Sequence, residues 1–257
     1  MPLISIVTPS FNSEQTIERT IKSVLLQKNN DFEYIIIDGG STDSTCNIIK
    51  HYEPLFNGRL YWKSEKDKGI YDAFNKGIKL SKGKYVWIVN SDDWLEPNSI
   101  DVISRIINSY DNETDYPVIS GCMNFCSRDG VYIKNYSSNK EQAAHCFKND
   151  SMGVVHPATI VPKRIYELYG LYDDQFRIIG DLDWFHRIYA KNVSILFIND
   201  ILTNMADGGI SNLFVYGVNA KDRWKFVCKK YSNVFLRFYR FFRWTLYFFK
   251  LKAKSKR

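Results

Sequence analysis

The apolar positions of this chain change period along its length, and the changes mark out elements. A β-branched run over residues 4–7 stops at Thr8-Pro9-Ser10, and residues 13–27 then carry Ile17, Ile21, Val24 and Leu25 at helical spacing. The unit repeats: residues 34–37 end in Asp38-Gly39-Gly40-Ser41, with Ser41 or Thr42 placed to cap a helix running through His51. A third strand is predicted over residues 60–62, a helix over 70–80 and a fourth strand over 85–89. These strands are short and apolar throughout, the pattern of parallel strands buried on both faces, so the predicted fold class is α/β. Beyond Pro97 the pattern is mixed: a helix to about Ser109, a strand near 118–120, a hairpin turning at Asp129-Gly130, helices at 162–169 and 181–190, and a strand at 193–198.

Parallel sheets bind ligands at the carboxyl ends of their strands. Polar clusters at residues 8–12, 38–43, 65–68 and 90–93 each follow a predicted strand, which locates the expected site. Residues 86–94, VWIVNSDDW, drive a buried strand into the adjacent acids Asp92 and Asp93. Neighbouring carboxylates repel one another, so a cation or hydrogen-bond donors are expected between or beside them. Past the strand end the alternation of faces breaks, leaving one acid free to face a sugar hydroxyl and the other a divalent cation. Oxygen ligands of this kind suit Mg²⁺ or Mn²⁺ bridging phosphates. The same residues also suit a plain turn before Pro97, and alone they leave both readings open.

Composition adds a second region. The chain's 257 residues allow one large domain with an appendage, and its aromatic share, 16%, is high. Residues 214–257 hold thirteen Lys or Arg against one acid, Asp222, a local charge of +12 that leaves −5 for residues 1–213 of the total of +7. The chain therefore divides into an acidic body, 1–213, and a basic aromatic tail, 214–257. Within the tail, Phe235, Phe238, Phe242, Leu246 and Phe249 fall on one helical arc, and Arg237, Arg240, Arg243 and Lys250 on the next. An amphipathic helix of this kind suits an anionic membrane surface, lying in its plane; packing on the body or in a homodimer is the competing reading. A nucleic-acid partner is not expected, because the body is acidic and no reading motif is present. Five cysteines with no CxxC pair fit a reduced, cytoplasmic compartment, and Cys122, Cys126, Cys146 and His145 match no common zinc spacing. The first residues read as a strand rather than a signal peptide, and no stretch has the ~20 apolar residues of a membrane-spanning helix.

The phosphate-binding patterns GxxxxGK[ST] and GxGxxG are absent. Present in order are TPSFNSE, IIIDGGSTDST, SEKDKGIYDAFNKGI and VNSDDW, a set that closely resembles the family 2 glycosyltransferases over about residues 3–213. Those are inverting enzymes of the GT-A fold that use nucleotide sugars. The resemblance implies a Rossmann-like mixed, mainly parallel sheet flanked by helices. It places Pro9, Asn12 and Glu14 in the nucleotide pocket, Asp38 on the base with uracil favoured, Asp67 and Asn75 along the diphosphate and sugar, Asp92 on ribose and Asp93 on the metal. Asn90 stands where the family often has a further acid, one negative charge fewer for the metal.

An inverting transfer needs a base to deprotonate the acceptor hydroxyl. Residues 180–187, GDLDWFHR, resemble the family's acidic motif at a helix start: Asp181 matches the base, and Gly180 stands where another acid is common. Asp183 is its rival, with a plain helix-dipole charge as the alternative. Arg187 and His156 are further site candidates, and residues 206–211, ADGGIS, resemble a glycine-bearing loop that closes over the donor. The implied function is transfer of a sugar from a nucleotide diphosphate, a UDP-sugar favoured, to a lipid-linked or oligosaccharide acceptor. The implied setting is bacterial surface-polysaccharide synthesis at the inner face of the cell membrane. Two rivals are a sugar nucleotidyltransferase, whose glycine-rich basic loop after the first strand is missing, and a catalytically silent nucleotide-binding scaffold.

Overall fold

A computed structural model describes residues 1–110, 112, 114, 116–208 and 216–254. Its first half alternates strand and helix: β1 (Ile4–Ser10), α1 (Ile17–Leu25), β2 (Phe32–Asp38), α2 (Thr45–Tyr52), β3 (Leu60–Ser64), α3 (Ile70–Leu80) and β4 (Tyr85–Ile88). The four strands pair in parallel in the order β3-β2-β1-β4. Alternate residues serve two cores although both faces are apolar. Ile4, Ile6, Tyr34, Ile36, Tyr85 and Trp87 join α1 and α2 on one side. On the other, Val7, Ile35, Ile37, Val86 and Ile88 pack against α3.

The second half changes direction. It contains β5 (Trp94–Leu95), α4 (Ser99–Ile107), β6 (Val118–Cys126), β7 (Tyr132–Tyr136), α5 (Lys140–Lys148), β8 (Thr159–Pro162), α6 (Lys163–Tyr169), α7 (Gly180–Tyr189) and β9 (Ile195–Ala206). Strand β8 lies antiparallel on β4, β6 antiparallel on β8, β9 parallel to β6, and β5 antiparallel on β9. The expected hairpin forms between β6 and β7, with Gly130 at φ +86°. The whole is a curled, mixed sheet whose parallel run is confined mainly to its first half.

Some boundaries differ from expectation. Helix α2 begins at Thr45: the Ser41 hydroxyl turns onto Asp38, the Thr42 N–H is taken by Asn12, and Asp43 Oδ1 accepts the Thr45 N–H at 3.0 Å. Helix α5 has no counterpart in the sequence reading, since only Ala143 and Phe147 of its nine residues are buried. The strand expected at 193–198 is the start of the twelve-residue β9.

The basic tail is two helices, α8 (Tyr216–Lys230) and α9 (Val234–Lys254). Helix α8 is docked on the body: Phe226 and Val227 are buried in the second core, and Asp222 and Arg223 are buried beside them. Helix α9 packs back on α8, with Trp224 5.1 Å from Phe238 and 5.4 Å from Phe241 between ring centroids. Phe235, Phe242, Tyr247 and Phe249 lie exposed on it. Among the described residues no helix is long and apolar enough to cross a membrane.

Candidate active site

The loops that leave β1, β2 and β4 at their carboxyl ends are laced to one another. The Asn12 N–H donates to Ser41 Oγ at 2.8 Å, and Asn12 Oδ1 accepts the Thr42 N–H at 3.0 Å. Glu14 Oε2 accepts the Ser44 N–H at 2.9 Å, and Ser13 Oγ lies 2.8 Å from Ser91 Oγ, beside the carboxylate pair. Asn12, at φ +48°, and Glu14 thus shape the first loop, and Pro9 is buried at the end of β1 opposite Ile37.

Asp38 closes β2. Burial alone would raise its pKa, but hydrogen bonds from Ser41, Ser64 and Ser10 outweigh that and hold the carboxyl below its ordinary value. The Ser41 hydroxyl donates at 2.5 Å, Ser64 at 2.7 Å and Ser10 at 3.0 Å. Asp67 accepts the Gly69 N–H at 3.0 Å and presses on Gly39, where a Cβ would stand 2.6 Å from its Oδ2. Burial raises its pKa. Asp38 and Asp67 therefore flank the glycine turn of IIIDGGST.

The pair at the end of β4 is arranged differently. Asp93 is buried, and its Oδ2 accepts the Asn90 Nδ2–H at 3.1 Å. Asp93 Oδ1 and Asn90 Oδ1 are buried without hydrogen-bond partners. Burial, with Asp92 next to it, pushes Asp93 well above its ordinary pKa, and burial raises Asp92 as well. Two buried, unsatisfied oxygens are costly, and a cation that shares them removes the cost. Among the described residues no group of three or more His, Cys, Asp or Glu could hold a metal. The two oxygens, from a carboxylate and an amide, are donors of the kind that suits Mg²⁺ or Mn²⁺, and most of such an ion's ligands would have to come from phosphate and water. Pairing of Trp94 with Asn204 brings the end of β9, Ala206, alongside. Gly209, Ile210 and Ser211 of the ADGGIS stretch lie outside the described residues.

Asp181 sits in the first turn of α7. Its Oδ1 accepts the Leu182 N–H at 2.8 Å and faces the Tyr71 hydroxyl at 3.1 Å; its Oδ2 lies 3.8 Å from His156 Nδ1. The side chain keeps 23% of its surface exposed, enough for a hydroxyl to reach it. His156 packs between Phe74 and Phe185, and burial lowers its pKa, so it stays neutral near pH 7 although Asp181 opposes the shift. It precedes β8, whose Ile160 pairs with Trp87 in antiparallel register, so His156 and the carboxylate pair lie at the same end of these central strands.

Three candidates are placed elsewhere. Asn75 is not open to a diphosphate: its amide donates to Tyr172 O at 2.9 Å and accepts the Tyr172 N–H at 3.0 Å. Asp183 is buried in ion pairs with Lys229 at 3.1 Å and Arg187 at 3.3 Å. Arg187 also donates to the carbonyls of Tyr169 and Leu171 at the end of α6, a structural tie. Tyr71, in contrast, was absent from the sequence reading, although it opens the helix that follows SEKDKG. Gly180 is required by the same ring, because a Cβ there would stand 2.8 Å from Tyr71 Cδ2.

The family model described as Glycosyl transferase family 2 matches residues 5–169. That is well over half of the chain, which belongs to this family. The chain is 25% identical over 216 residues to a PGL/p-HBAD biosynthesis glycosyltransferase of Mycobacterium bovis, covering 83% of this chain and 81% of that one. S. aureus TarS 1–349, solved with UDP-GlcNAc, superposes with a TM-score of 0.69 at 18% identity, over 88% of this chain and 66% of that one. The Pyrobaculum calidifontis mannosyltransferase PcManGT, solved with GDP-Man and Mn²⁺, gives 0.62 at 13% identity, over 89% and 64%. The chain thus spans less than two thirds of either solved chain, and the likeness establishes the GT-A fold. The protein is a glycosyltransferase.

Proposed function

We propose that this glycosyltransferase moves a sugar with inversion from a UDP-sugar to a lipid-linked saccharide acceptor. The proposed place is the inner face of a bacterial membrane, within surface-polysaccharide synthesis. The observation that carries the chemistry is that an unsatisfied buried carboxylate, Asp93, follows β4 at the same end of the strands where His156 precedes β8 beside a separate, partly open carboxylate, Asp181. UDP as the nucleotide is supported by the fold's likeness to a UDP-GlcNAc complex, and a divalent metal by the likeness to one with Mn²⁺.

In this reading the loops held by Asn12, Glu14 and Asp38 receive the nucleoside, Asp92 faces ribose, and Asp93 with Asn90 holds the metal. A divalent ion there supplies charge neutralisation for the departing diphosphate. Asp181 takes the acceptor proton on Oδ2, while Tyr71 and the Leu182 N–H fix Oδ1. His156, held neutral, stands beside that oxygen without competing for it as a cation. The exposed aromatic surface of α9, with Arg243 exposed beside it, supports the membrane setting, while Arg240 turns to Lys148 O and Asp150. The test is UDP release from a panel of UDP-sugars with Mn²⁺ and a bacterial lipid extract. Asp93→Ala and Asp181→Asn should each remove acceptor-dependent release, and normal transfer by Asp181→Asn would refute the assignment of the base.

A further inference from the structure

We infer that Asp222, on the first helix of the basic tail, is a positioning residue for Asp181; the inference rests on Asp181 being the base. Asp222 is buried, and one oxygen, Oδ2, accepts the backbone N–H groups of Arg177 at 2.8 Å, Ile178 at 2.7 Å and Ile179 at 3.4 Å. Successive amides converging on a carboxylate form charge-assisted bonds, stronger than neutral ones and directional. The segment they fix leads directly into α7, where Asp181 is the second residue.

The same short segment is held from its other side. The Ile178 carbonyl accepts the Tyr71 hydroxyl at 2.6 Å, the hydroxyl that also faces Asp181 Oδ1. The peptides around residue 178 are therefore clamped between α8 and α3, and Asp181 takes its position from that clamp. Further along, Lys229 meets Asp183 at 3.1 Å and Lys230 meets His186 Nδ1 at 3.1 Å, so α8 also docks along the body of α7. Asp222 is the one acid among the charged residues of a segment carrying thirteen Lys or Arg. Its contacts account for it where a membrane-binding role does not.

A displacement of the base by about 1 Å costs rate without weakening donor binding, which involves the loops of β1, β2 and β4. The full-length chain is assayed with UDP-glucose, UDP-galactose and UDP-N-acetylglucosamine together as donors and a bacterial lipid extract as acceptor. Asp222→Asn is expected to lower acceptor-dependent UDP release on the order of tenfold, while the affinity for UDP with Mn²⁺ stays within about twofold. Phe226→Leu, which loosens the same helix without touching residues 177–179, should lower the thermal midpoint and leave transfer intact. If Asp222→Asn does not fold, Asp222→Glu keeps the charge and displaces it, and the same split is expected there. Full transfer by the folded variant, or a rate loss no greater than that of Phe226→Leu at equal thermal midpoint, overturns the inference. An inactive Asp181→Asn beside a fully active Asp222→Asn overturns this inference alone. An active Asp181→Asn, or no UDP release by the parent chain, overturns the functional reading and this inference with it.

Discussion

The acids of this protein are sorted by their partners, and the sorting separates function from stability. Asp183 is satisfied by cations, and Asp93 is left with an unpaired oxygen in a buried place. Removing charge from the two classes should have different effects. Asp183→Asn leaves Arg187 without the Asp183 charge and Lys229 with Asp173 alone, so a loss of about 1–3 kcal/mol is expected by urea denaturation, with transfer per folded molecule retained. Asp181→Asn is expected to keep the stability and lose the transfer. A second residue-scale prediction concerns pH. Burial, reinforced by Lys230, lowers the pKa of His186 from 6.5 to about 3. Between those values the unfolded chain binds a proton that the native chain refuses, so this contribution is complete above about pH 6.5 and is lost as pH falls toward 3. Burial depresses His156 in the same direction, so the diagnostic quantity is the difference between parent and His186→Gln. The parent should lose up to ~1.4 kcal/mol more per pH unit below about pH 6 in urea titrations.

At the scale of elements, the apolar runs announced β1 to β4 and their helices because β1, β2 and β4 are buried on both faces, β3 at the sheet's edge still buries Leu60 and half-buries Trp62, and each helix shows one apolar stripe. Carboxylates that end such strands were legible as a site for the same reason. What could not be read locally was any role set by a distant partner. Asn75 meets the backbone of Tyr172, and Asp183 meets Lys229, at separations no local pattern encodes. Helix α5 was hidden because its sequence KEQAAHCFK buries only two side chains. Gly180 shows a packing constraint of the same kind. It lets the start of α7 approach α3 so closely that the Tyr71 ring occupies the space of a side chain. Gly180→Ala should force that ring aside, at a cost of about 1–3 kcal/mol from overpacking. Because the Tyr71 hydroxyl faces Asp181, transfer should fall further than the stability loss explains, as read by comparing thermal midpoint with the rate of UDP release.

For the whole molecule, the boundary at residue 213 marks a change of charge, and the buried contacts run across it. Helix α8 contributes Asp222, Phe226 and Val227 to the interior, so a cut just before it would remove core as well as charge. The membrane reading is therefore tested by substitution on the outward face of α9. Phe235, Phe242 and Phe249 are 88%, 59% and 51% exposed, and Arg243 belongs to the neighbouring basic arc. Each Phe that leaves water for the interfacial region gains on the order of 1–2 kcal/mol, and each Arg near an anionic surface about 1 kcal/mol at moderate salt. Replacing the three Phe by Ser should weaken sedimentation with anionic phospholipid vesicles by at least about a hundredfold, leaving the thermal midpoint and transfer to a water-soluble acceptor in place. Raising the salt should weaken the parent's binding further, because part of the attraction is screened over about 10 Å at 0.1 M. If the same substitutions leave vesicle binding intact but turn a dimer into a monomer in sedimentation equilibrium, the aromatic face joins two copies of the chain, and the membrane reading fails.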